Sequence, residues 1–88
     1  MKRIEVESFS DDTNAAVIKL LDRKFPGLLL QGDSLKTLLD SANEVLVLSR
    51  NSRNPDLEET ATELARIIEG YVKVYERTLE AHGKPLPY

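Results

Sequence analysis

The chain has 88 residues, 41% of them apolar and 31% charged, with 12 basic against 15 acidic side chains for a net charge of −3. That describes one small domain, and the negative balance argues against a nucleic-acid binder, whose footprint is basic. No cysteine and a single histidine, His82, exclude a disulfide scaffold, a thiol nucleophile and a multi-histidine metal centre within one chain.

The N-terminus reads Met1-Lys2-Arg3-Ile4-Glu5-Val6-Glu7. Its basic start is followed at once by carboxylates, which the apolar stretch of a signal peptide does not contain. The longest apolar runs are Ala15 to Ile18 and Val45 to Leu48, far short of the ~20 residues that span a bilayer. No membrane association and a cytoplasmic location are expected.

Over residues 3–9, Ile4, Val6 and Ser8 alternate with Glu5 and Glu7, the pattern of a half-buried strand. Ser10-Asp11-Asp12-Thr13-Asn14 supplies turn formers, and a second strand follows over about 15–21 with Ala16, Ile18 and Leu20 on one face. Asp22-Arg23-Lys24 turns again into Phe25-Pro26-Gly27 and a third strand over about 27–31. Connections this short exclude parallel crossovers, so the strands form an antiparallel meander.

From Leu35 the period changes. Apolar residues at 35, 38, 39, 42, 45 and 46 line one face of a helix over about 34–50, with Asp33 or Ser34 as its N-cap. Asn54-Pro55 starts a second helix over about 55–82, whose stripe is Leu57, Ala61, Leu64, Ile68, Tyr71, Tyr75 and Leu79. Gly83 stops it, and Pro85 and Pro87 prevent its resumption. The fold class is α+β: a three-stranded antiparallel β-meander followed by a two-helix hairpin packed on one face.

The second helix overhangs the first by about 15 Å at 1.5 Å per residue. That overhang must cover the sheet or touch another chain. Val47 and Leu48 on the first helix, and Ile67, Val72 and Val74 on the second, lie off the main stripes. Two-sided helices are sandwiched between layers or subunits, and a chain this small has little core to spare. A homodimer is the expected assembly, with Val47, Leu48, Ile67, Tyr71, Val74, Tyr75, Leu86 and Tyr88 as its interface candidates. The last two belong to a tail, His82-Gly83-Lys84-Pro85-Leu86-Pro87-Tyr88, whose apolar end and two prolines suit docking onto a defined surface.

The chemistry-bearing residues lack partners. Gly32-Asp33-Ser34-Leu35 resembles the opening block of the GDSL-type esterases and lipases, which implies Ser34 as nucleophile. That family takes its base from an Asp-x-x-His motif; here Leu79 stands three residues before His82, and the chain is short for the family's α/β sandwich. The structural reading, a strand exit and helix cap, accounts for the tetrapeptide. An anion at the same helix start would meet Asp33. Glu59 and Glu63 have metal-ligand spacing on the second helix, but no Glu-x-x-His completes a site. No enzyme activity, cofactor or metal is expected.

Phe25-Pro26-Gly27, Gln31-Gly32-Asp33-Ser34-Leu35, Tyr71 with Tyr75-Glu76, and the tail from His82 to Tyr88 together resemble a small bacterial family of stand-alone proteins of unknown function. Its members often carry proline where this chain has Leu21. The resemblance implies no activity, cofactor or catalytic residue. The function expected is that of a non-enzymatic, self-associating protein-interaction module. Another protein is the further candidate partner: residues 55–88 hold the whole net negative charge, which would suit an immunity-type protein that binds a basic toxin.

Overall fold

The computed structural model describes residues 1–88. The chain runs β1 (Val6–Ser10), β2 (Ala15–Leu20), β3 (Gly27–Leu30), α1 (Gly32–Asn51) and α2 (Pro55–Ala81). The strands form one antiparallel sheet in the order β1-β2-β3 and the helices pack as a hairpin, which is the expected α+β class.

β1 begins at Val6 because its partner there, Leu20, is the last residue of β2. Ile4 and Glu5 therefore have no strand opposite them, despite their alternation. Ser8 pairs with Ile18 but Ser10 pairs with Val17, so Phe9 is the extra residue of a β-bulge. Paired residues share a face, which puts Val6, Ile18, Leu20 and Leu29 on one side and Val17, Leu28 and Leu30 on the other. The second side also carries the cross-strand pair Glu7 and Lys19, so both faces hold apolar residues but only the first is free of charge. Here β3 is exposed along its whole length.

β3 passes into α1 with Gln31 as the only connection. The Gln31 N–H still donates to the Asn14 carbonyl (3.2 Å), while its own carbonyl already accepts the Leu35 N–H (3.0 Å). The helix thus starts ahead of the expected caps. Gln31 is the N-cap without a side-chain bond, and Asp33 instead accepts the Ser34 N–H (2.9 Å) inside the first turn. At α2 the cap is Asn54, whose side chain accepts the Leu57 N–H (3.2 Å) ahead of Pro55. Gly83, at φ +64°, ends α2: its N–H donates to the Glu80 carbonyl and Lys84 N–H to the Leu79 carbonyl, at 3.1 and 2.9 Å. That pair of bonds is a Schellman motif, and a positive φ there suits glycine.

Leu35, Leu39, Ala42, Leu46 and Ser49 of α1 face Ala61, Ala65, Ile68, Val72 and Tyr75 of α2. Both runs step by alternating three and four residues, the spacing of interlocking helices. This corrects the α2 stripe read from the sequence. Ala65 and Val72, each 3% exposed, take the inner positions assigned to Leu64 and Tyr71, while Leu57, Leu64 and Tyr71 stay open. A one-residue shift turns a helix face by about 100°. It brings the small residue Ala65 into the cluster with Ala42 and leaves Leu64 and Tyr71 outside.

The hairpin does not lie across the sheet in the single chain; the strongest contacts of each unit are internal to it. This departs from the expected packing on one face. A one-residue connection is shorter than the ~2–6 residues that usually let a helix fold back on its strand. The molecule is consequently long, 49 × 31 × 23 Å, with a radius of gyration of 16.1 Å. A compact chain of this length has about 12 Å.

Candidate functional site

Ser34 occupies the first turn of α1, and the bond made by its residue's N–H goes to the Asp33 carboxylate. His82 caps α2, and its Nδ1 lies 2.9 Å from the Thr78 carbonyl one turn back. No hydrogen bond joins Ser34 and His82, and the recess beside His82, between Tyr75, Thr78, Leu79 and Pro85, has no serine in its wall. Glu59 and Glu63 line an open acidic groove with Glu58 and Arg66 and gather no group of three metal-ligating side chains.

The end of the hairpin nearest the sheet is instead a packing junction. Gly32 is buried because the Tyr75 ring lies where a Cβ would stand. Leu86 and Tyr88 remain 40% and 44% exposed. The Tyr88 hydroxyl donates to Glu76 (2.8 Å), and the Lys36 ammonium sits 5.9 Å from the centre of the Tyr88 ring. The tail thereby touches both helices. Partial desolvation, followed by the bond to Glu76 and its negative charge, pushes the Tyr88 phenol up to about 12. On the open surface of α2, the Lys73 ammonium 2.8 Å from Glu69 holds that carboxyl below its ordinary value.

The largest uncovered apolar surface of the hairpin is a second seam on each helix. On α1 it is Leu38, Val45 and Leu48; on α2 it is Leu57, Leu64, Ile67, Tyr71 and Val74, between 43% and 62% exposed. On both helices these positions follow the buried ones by minus one or plus three residues, a turn of roughly 80° in the same sense. Because the helices run antiparallel, equal turns bring both outer seams to the same side of the hairpin.

Of the eight interface candidates, Leu48, Ile67, Tyr71 and Val74 lie on this side and are exposed. Val47 points to the opposite side of α1, Tyr75 turns inward onto Gly32, and Leu86 and Tyr88 belong to the tail junction. Leu38, Val45, Leu57 and Leu64 lie outside that set, because in the sequence they fall on the stripes expected to pack within the hairpin. Their signal was the step of three and four residues that they repeat alongside the inner one.

A model of a family of unknown function (DUF6959) matches residues 1–88. No curated protein and no solved structure matches the chain.

Proposed function

Since the chain belongs to this family of unknown function, whose description assigns no activity, we propose from its surface that it is a non-enzymatic interaction module that works as a self-associated dimer. One observation carries the reading. The single chain exposes 7242 Å² for a mass of 9.9 kDa, whereas a folded monomer of that mass exposes about 5,200 Å². The excess, roughly 2,000 Å² per chain, falls within the about 1,000–2,500 Å² that an obligate dimer buries on each side. Light scattering at micromolar concentration tests it: a mass near twice 9.9 kDa is expected. A monomer whose apolar seams are fully protected would overturn it.

The groove of Glu58, Glu59 and Glu63 supports a second reading, an immunity-type role in which α2 faces a basic toxin. Complementary charge speeds such encounters. Co-expression with a basic protein encoded beside this gene should then restore growth; continued toxicity ends the idea.

A further inference from the structure

We infer that the outer face of the hairpin is the dimer contact and that its occupant is the same face of a second copy, forming a four-helix bundle. This rests on the self-association reading and says which of the two uncovered regions, hairpin or sheet, carries it.

The face is uncharged along its full length. Along α1, the outer positions from Ser34 to Ser52 hold only serine, leucine and valine. Along α2, those from Leu57 to Thr78 hold only threonine, aliphatic side chains and Tyr71. In a chain that is 31% charged, such a gap is a burial pattern. A basic partner would find nothing to pair with there, because the carboxylates of α2 lie on other sides; a surface of the same composition satisfies it fully.

The spacing says how the copies meet. Steps of three and four residues let side chains of one helix enter the gaps of another, in the near-parallel crossing of helical bundles. Both seams mix sizes, with Ser41 between Leu38 and Val45 on α1 and Thr60 between Leu57 and Leu64 on α2, so each offers gaps as well as side chains to fill them. A two-fold axis running along the hairpin sets α1 over the partner's α2 twice, so every contact is made in both halves. That self-complementary arrangement is what a closed dimer requires.

The test uses four lysine substitutions in the full chain, read by light scattering across concentration and by far-ultraviolet circular dichroism. Ile67→Lys on α2 and Leu38→Lys on α1 alter the same face, where both native residues are about half exposed. Each should raise the dimer dissociation constant by roughly tenfold or more, the scale of a hot-spot loss, with helix content retained. Val47→Lys, on the far side of α1, and Leu28→Lys, on β3, should leave the dimer intact. Ile67→Ser should shift the equilibrium in the same direction by less, which guards against a lysine variant that fails to fold. Dissociation by Leu28→Lys with Ile67→Lys and Leu38→Lys still dimeric would overturn the inference and leave self-association standing. A monomeric wild-type chain would overturn both.

Discussion

All eight buried residues of the chain lie in α1 and α2, whereas the sheet, with Leu28-Leu29-Leu30 as its third strand, contributes none. The two regions are not separated by apolar content. They differ in what covers them. Each helix finds its second layer three residues away, across the connection Ser52-Arg53-Asn54, and small side chains let the backbones close. The sheet carries apolar residues on both faces, and its own chain supplies no layer for either. Burial within one chain therefore follows the reach of the connections as much as the identity of the residues.

The largest expected effect separates the two regions directly. Ile68→Ala, in the inner seam, should lower stability by about 2–5 kcal/mol. Leu29→Ala, at an exposed position of β3, should cost well under about 1 kcal/mol. Urea unfolding followed by helix signal measures both. Equal losses would mean that the sheet is packed as tightly as the hairpin.

The junction between the regions comes next. Gly32→Ala forces the Tyr75 ring out of its place, an overpacking cost of about 1–3 kcal/mol. Combining it with Tyr75→Ser should be strongly non-additive, because one substitution removes the clash that the other creates. Simple additivity in the double-mutant cycle would show that the ring moves aside freely.

The smallest effect concerns the tail. Desolvation and the bond to Glu76 push the docked Tyr88 phenol up from its ordinary 10.0 to about 12, so docking stabilises the fold below pH 10 and that contribution is lost as pH rises toward 12. Ultraviolet titration of the three tyrosines should show one late step that Tyr88→Phe removes. A single step at the ordinary tyrosine value would place the tail in solvent.

How much of this was legible in the sequence depended on whether the signal was local. The meander followed from the alternation around Val6 and Ile18 and from turns too short for crossovers. The start of α2 followed from Asn54-Pro55, and its end from Gly83. The α2 stripe was right at Ala61, Ile68 and Tyr75 but one residue off at Leu64 and Tyr71, which look more like a core than Ala65 and Val72 do. Hydrophobicity ranks large side chains first, while a close helix contact selects small ones. The buried role of Gly32 depends on Tyr75, 43 positions away, and no local pattern announces it. The same limit applies to the gap between hairpin and sheet, which is set by the lone residue Gln31.

The central claim is that the uncovered apolar surface is completed by a second copy. Ligation by a like chain stabilises the folded state by mass action, so the melting temperature must depend on protein concentration. Thermal unfolding recorded over a hundredfold concentration range tests this most directly. A midpoint that climbs steadily with concentration agrees with the account; one that stays constant while the protein remains folded and monomeric contradicts it.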